Sequence, residues 1–503
     1  MTDNVEKEAI ERDSASGEAQ DTPIKIPDAK WKPGCLTYAI ASFLLVAVGG
    51  WLGNWFWARS ERLAFEAEIK AIQDRGEPVW FVDLEPEPLP EEEDGLQLFL
   101  AAAKSLEQTR QQTGAVWTSF EQQHLDGTGP GGNGVMSAYS AADLANFRQI
   151  TTASTPALDL LRQSLDRGTI RWPIDFKTEI PYALLLEGLE PQRHFANVLK
   201  AEGLVAIADG DTDRAITSIQ DMFRLIDSGK EEPFLISHLL RVAFATFAMH
   251  EIKALLETHD LTAEQRSELD DMLAHAEANF RLKDCYMAER ASSITMIASI
   301  ADSAEPEMIG SLAQAEGPSW WIYANLSALR YRDMSKAVSI FNSVIEHIDE
   351  TGPQATADLE AIENEISTLS DTYLMTKLTL PSMTSMRRSG LRYRQQLRGL
   401  RVALRVDQFY RTKGNFPNSL TDVLDESMPE IPQGTYSNQP VVYRTTPTGF
   451  VIYGLGTNGI DDGGGGDQDE SDGLVELEYP TKTSADGAVD DSAADSSGDG
   501  LPN

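Results

Sequence analysis

The sequence predicts a mainly α-helical protein with one transmembrane helix, a helical soluble domain and a small α/β module near its C-terminal end. Three observations carry that prediction. An uncharged run extends from Cys35 to Trp57, and from Leu96 to about Leu374 apolar residues recur at helical spacing. After Gly414 the pattern changes to short alternating runs separated by glycine-rich turns.

Composition sets the outer bounds. The chain has 503 residues, 41% of them apolar, enough for a substantial core and two or three units. Its 79 acids against 42 bases give a net charge of −37. Wrapping nucleic acid needs clustered Lys and Arg, so no nucleic-acid partner is expected. Two cysteines, Cys35 and Cys285, make no disulfide framework. With seven histidines and neither HExxH nor CxxC, a zinc centre is not expected.

Residues 1–34 hold hardly any large apolar side chains and read as a disordered tail. Residues 35–57 then form the membrane segment. As a helix, Leu36 to Trp57 would span roughly 33 Å, close to the ~30 Å of a bilayer's hydrocarbon core. Trp31 precedes the run and Trp51, Trp55 and Trp57 close it, as interfacial aromatic belts do. A cleaved signal peptide is the alternative, but its apolar region is shorter and ends in small residues. Flanking charge is nearly balanced, with Lys25, Lys30 and Lys32 before the run and Arg59, Arg62, Lys70 and Arg75 after it. The short N-terminal tail is placed on the cytoplasmic side and the large C-terminal part outside the cytoplasm.

Residues 58–95 comprise a juxtamembrane helix to Arg75, an extended piece at Val79–Val82 and a stiff Pro/Glu spacer from Glu85 to Asp94. The helical domain covers residues 96–382. Its glycine-rich interruption from Asp126 to Gly134 lacks a preceding strand or P-loop lysine and reads as a plain loop. Phe195 to Ile226 is split by Asp209-Gly210-Asp211 into two amphipathic helices. Ala201, Leu204, Val205 and Ile207 would face Ala215, Ile216, Ile219 and Phe223. This pair is either an ordinary antiparallel hairpin or, as its sequence resembles, one tetratricopeptide-type unit; no 34-residue period surrounds it. Phe234 to Leu256 is apolar almost all round and reads as a buried central helix despite His238, Arg241 and His250. Another helix is expected from Trp320 to about Ile348.

Candidate chemistry in this domain is sparse. Glu187, Glu190 and His194 are spaced to bring two carboxylates and an imidazole together, although Pro191 interrupts them. They would serve a hydrolase-like alternative. His250, beside Glu251, reads as a satisfied core residue. No G-x-S-x-G motif or Cys/His pair points to a nucleophile.

Residues 383–480 form the terminal module. Arg394, Arg398, Arg401 and Arg405 make one helical stripe, and Tyr393, Leu397, Leu400 and Leu404 make a second about 100° away. Such a helix either lies on an anionic surface or packs its leucines on the following strands while its arginines meet the chain's acids. Val441–Arg444 and Phe450–Tyr453 flank a Pro/Gly turn as a β-hairpin, and Leu474–Tyr479 is a third strand. Between strands two and three runs a glycine–acid loop, and residues 481–503 form a disordered acidic tail.

Leu404 to Leu420, with Asp407-Gln408-Phe409-Tyr410 and Gly414-Asn415-Phe416-Pro417, resembles the helix exit of the G-type pseudopilins of type II secretion. Val451 to Gly459 and the acids after it are similar to their calcium-binding loop. The pairing also resembles the ending of uncharacterised membrane-anchored planctomycete proteins. The resemblance implies a small sheet against a helix, with a structural Ca2+ held by the carbonyl of Leu455 and the carboxylates of Asp461, Asp462, Asp467, Asp469 and Asp472. That ligand set suits a hard cation wanting six to eight oxygens. Asn458 stands where the family has Asp. The apolar helix lies far upstream and no prepilin leader precedes it, so the module reads as borrowed, not as a pilus subunit. The expected function is a membrane-anchored envelope interaction or scaffolding protein that contacts lipid through residues 35–57 and other proteins through its soluble part.

Overall fold

Side-chain caps fix where several helices begin and end. The computed structural model describes residues 35–125, 136, 139–184, 186–230, 232, 234–302, 323, 326–380, 383–456, 459–461, 463 and 475–479. The loop from Asp126 to Gly134, Trp320 and Trp321, and both tails lie outside them. Residues to Trp55 and residues from Phe56 onward form two units. α1 (Cys35–Asp74) begins in the first. There Phe43, Leu45, Val46 and Trp51 are exposed, and the helix is long and apolar enough to cross a membrane.

The second unit opens with the rest of α1, whose Phe65, Ile69 and Ile72 are buried in a core shared with Ile294, Ile297, Tyr323 and Val338. Then come α2 (Leu96–Thr113), α3 (Ala115–Leu125), α4 (Ala141–Leu165), α5 (Leu189–Asp209), α6 (Thr212–Ser228), α7 (Leu235–Thr258), α8 (Ala263–Ala278) and α9 (Leu282–Asp302). They are followed by α10 (Ser327–His347), α11 (Pro353–Thr368), the short α12 (Leu374–Thr379) and the long α13 (Met383–Lys413). The chain is therefore mainly helical, with one small sheet.

At α4, the Ser140 hydroxyl accepts from Asp143 N–H while the Asp143 carboxylate accepts from Ser140 N–H, and Thr262 with Gln265 repeats this box at α8. Each such cap is worth about 1 kcal/mol. Between α5 and α6, Gly210 takes a left-handed φ of 76° that a side chain would strain. The Asp211 carboxylate then accepts the Arg214 N–H at 3.2 Å to start α6. All eight apolar residues expected to face one another across this turn are buried. α7 is the expected central helix, packing against α5, α6, α9 and α13.

One local expectation needs correction. Val79–Val82 is extended only as far as Trp80. The Asp83 carboxylate accepts the N–H groups of Val79 and Trp80, which draws the chain into a 3-10 turn over Phe81–Leu84 and buries the Phe81 ring against Phe176 and Phe234. The start of the helix expected from Trp320 lies outside the described residues, and α10 is described from Ser327.

Two buried charges fix these segments. Arg290, fully buried on α9, donates to Asn342 at 2.7 Å and to the Pro78 carbonyl, and pairs with Glu77 at 2.9 Å. Burial alone would raise the Glu77 carboxyl, but Arg75 and Arg290 bring it below its ordinary value. Asp333 on α10 accepts the N–H groups of Met375 and Thr376, capping α12, and the Tyr323 hydroxyl at 2.9 Å.

β1 (Val442–Thr445), β2 (Gly449–Tyr453) and β3 (Val475–Glu478) form an antiparallel sheet in that order. Val442 pairs with Tyr453, Thr445 with Phe450, and Ile452 with Val475. A Cβ at Gly449 would lie 1.8 Å from the Leu477 carbonyl oxygen, so the pairing needs glycine there. Leu397, Leu400 and Leu404 of α13 are buried, and Gly399 lets Val475 approach its backbone. One apolar core runs from Phe99 of α2 through α13 to Tyr479 without a break at residue 383.

Candidate functional site

The densest polar chemistry among the described residues lies along α13, not in the glycine–acid loop. Its arginines turn inward onto acids of other helices. Arg394 donates to the carbonyls of Phe280 and Asp349, and reaches the Asp349 carboxylate at 3.3 Å. That carboxylate also accepts the N–H groups of Leu282 and Lys283, capping α9. Arg398 pairs with Glu277 at 2.6 Å. Arg401 and Arg405 converge on Asp270 of α8 at 2.8 and 2.9 Å, and Arg405 also reaches Asp425 at 3.0 Å. Burial pushes the Asp270 carboxyl up, yet the bonds from Arg405 and Arg401 outweigh it and leave the group below its ordinary value.

One turn further, Asp407 is fully buried. Its oxygens accept from Arg266 at 2.6 Å, Arg411 at 3.2 Å and the Tyr479 hydroxyl at 2.8 Å. Arg411 also donates to the carbonyls of Leu256 and His259 at the end of α7. Burial, with the charge of Asp407 beside it, holds the Tyr479 hydroxyl protonated, well above its ordinary value. The basic stripe is thus an internal seam; its leucine neighbour is buried in the apolar core with Tyr393 against Phe280, while the sheet meets the helix where Val475 approaches Gly399. The surface-binding alternative for this helix does not hold.

The glycine–acid loop is only partly described. Leu455 is buried. Asp461 accepts the Tyr453 hydroxyl at 2.8 Å and the Gly463 N–H at 3.2 Å on one oxygen, and Arg444 at 2.6 Å on the other. The Tyr453 bond leads the effects that hold its carboxyl below the ordinary value. Both oxygens are therefore engaged by the protein, and a cation would have to share or displace Arg444. Asp462, Asp467, Asp469 and Asp472 lie outside the described residues. Among those described, no group of three or more His, Cys, Asp or Glu is placed to hold a metal ion.

In the helical part, α5 begins at Leu189, so Pro191 sits in its first turn, where the missing N–H has no helical acceptor. Its expected interruption does not occur. His194 approaches Glu121 of α3 at 3.3 Å and Glu190 at 3.9 Å. Burial lowers the imidazole's affinity for a proton more than these carboxylates raise it. Glu187, exposed in the preceding turn, has no ion pair or hydrogen bond that joins it to His194 among the described residues. Glu121 is the partner that sequence spacing missed, because a contact between separate helices leaves no periodic signal.

Glu251 was missed as well. It is 1% exposed on α7, and neither carboxylate oxygen has a hydrogen-bond partner among the described residues. It presses on α5, where a Cβ at Gly203 would fall 1.9 Å from its Oε2. Burial raises its carboxyl well above the ordinary value, against the opposing charge of Lys200. Lys200 lies 4.6 Å over the Phe247 ring, and its own proton affinity is lowered by burial.

The pH dependence follows. Below the ordinary carboxyl value of 4.5 both folded and unfolded states hold the Glu251 proton, and no penalty arises. As pH rises the unfolded chain ionises first, so stability is lost until the folded group ionises too. Glu251→Gln should therefore melt like the parent at pH 4 and become more stable than it toward neutrality, by about 1–3 kcal/mol. Parallel melting curves for parent and variant across that range would contradict the assignment.

No protein-family model matches the chain, and no curated protein or solved structure is significantly similar to it.

Proposed function

We propose that the chain is a single-pass membrane protein whose soluble unit acts as an interaction or scaffolding body in the envelope, with its N-terminus in the cytoplasm. The observation that carries this reading is the outward-facing, uncharged stretch from Tyr38 to Trp57 of α1. In water such a surface would cost about 25 cal/mol for each Å2 of apolar area, and lipid removes that cost. The interaction role is supported by chemistry turned inward: Arg394, Arg398, Arg401, Arg405 and Arg411 of α13 are committed to structural ion pairs. Within this reading, α5 and α6 are one tetratricopeptide-type unit, and the terminal module is a pseudopilin-like element. Its loop takes a structural Ca2+ through Leu455, Asp461, Asp462, Asp467, Asp469 and Asp472.

Alkaline carbonate should leave the full chain in the membrane pellet, and deletion of residues 35–57 should release it. Protease added to intact cells should digest the C-terminal unit while an N-terminal tag survives. Protection of the C-terminal unit until lysis would reverse the orientation, and release of the full chain by carbonate would overturn the anchor.

Calcium should raise the melting temperature of the full chain in detergent, and Asp467→Ala with Asp469→Ala should abolish that rise. An unchanged melting temperature in the parent chain would remove the metal from the account.

A further inference from the structure

A cavity of about 440 Å3 opens where α6, α7, α8, the start of α9 and Tyr393 of α13 meet, away from the glycine–acid loop. Its volume falls in the range of small-molecule sites. His238 and Arg241 line it from α7, three residues apart and so on one helical face. His238 is 6% exposed, and its Nε2 has no hydrogen-bond partner among the described residues. The Nε of Arg241 is likewise unpaired among the described residues, where its guanidinium makes one long hydrogen bond, 3.5 Å to the Glu232 carbonyl.

Buried polar atoms are nearly always paired, so two such residues on one cavity wall call for a partner from outside. Among the described residues, no carboxylate pairs with Arg241. Glu232, the nearest buried acid, already accepts Ser237 at 2.7 Å and Gln192 at 3.2 Å. Asp227 at the mouth is taken by His275 at 3.0 Å.

We propose that this cavity binds a small organic monocarboxylate, its carboxylate on Arg241 with His238 beside it and its apolar body against Val242, Phe280 and Tyr393. A planar guanidinium matches a carboxylate in charge and geometry. Phe280 packs at a tilt against His238 at 4.7 Å and Tyr393 at 4.9 Å between ring centres, giving an aromatic wall for the body. Burial, aided by Arg241 and Arg394, pushes His238 down to about 3, so it stays neutral and adds a polar contact without a second full charge. Around the cavity Asp227 and Asp284 are balanced by Lys230 and Arg281, which leaves Arg241 as the inner cation and favours one negative charge over the two of a phosphate monoester. Cys285, also in the wall, has its thiol pushed up to about 12 by burial, so the cavity offers recognition and no thiolate chemistry.

The test is titration of the full chain in detergent with phenylacetate and hexanoate, read by calorimetry and melting temperature. Saturable binding of at least one is expected, with phenylacetamide inert and phenyl phosphate at least tenfold weaker than phenylacetate. Arg241→Met should abolish binding while melting at or above the parent's temperature. Should that variant fail to fold, Val242→Phe, which fills the cavity and keeps Arg241, should block binding instead. Absence of binding by either carboxylate, equal binding by the amide, tighter binding by phenyl phosphate, or undiminished binding in the variants would each overturn the proposal.

Discussion

Helix α13 has two faces with opposite chemistry, and the second unit is built on their difference. Its arginine face is held by Asp270, Glu277 and Asp349 from the helical part, its leucine stripe is buried in the apolar core, and the sheet meets it where Val475 approaches Gly399. Asp407, on the helix itself, ties the two together: Arg266 comes from α8 and Tyr479 from the segment after β3. A carboxylate with no exposure is tolerable only because three donors saturate it. Losing one partner of such a pair costs about 3–5 kcal/mol, comparable to a large part of a domain's whole stability. The sheet has only three short strands, and one of that size needs an apolar face or a helix to pack against. Its persistence follows from burial on α13.

Local signals made much of this architecture legible. Gly210 between two amphipathic runs, the leucine stripe of α13 and the alternation around Thr446–Gly449 are short-range features, and the elements they imply are present. What was illegible is long-range. Nothing in the spacing of Asp270 or Arg266 says that each will meet an α13 side chain more than a hundred positions later. The turn at Phe81 escaped notice because one carboxylate, Asp83, overrides the β-propensity of Val79–Val82.

The candidate sites divide the same way. Glu190 and His194 were legible as neighbours because both lie on α5, but Glu121 was not. Asp461 drew attention as an acid in a glycine loop, and its oxygens are engaged by Tyr453 and Arg444, both from the strands. Glu251 reads in sequence as one charge in a buried helix. Only the closeness of Gly203 exposes how little room and how few partners it has. Arg241 and His238 share that history: they interrupt an apolar pattern, and their meaning depends on the cavity beside them.

The central claim is that the terminal module and the helical part are one cooperative body joined through Asp407 and its neighbours. Hydrogen exchange of the full chain in detergent tests it directly, comparing amides of α8 with those of β2 in the parent and in Asp407→Asn. The account expects both elements to open with the same free energy in the parent and to lose protection together in the variant. If β2 alone loses protection while α8 keeps the parent's level, the module is a separate appendage and the account is wrong.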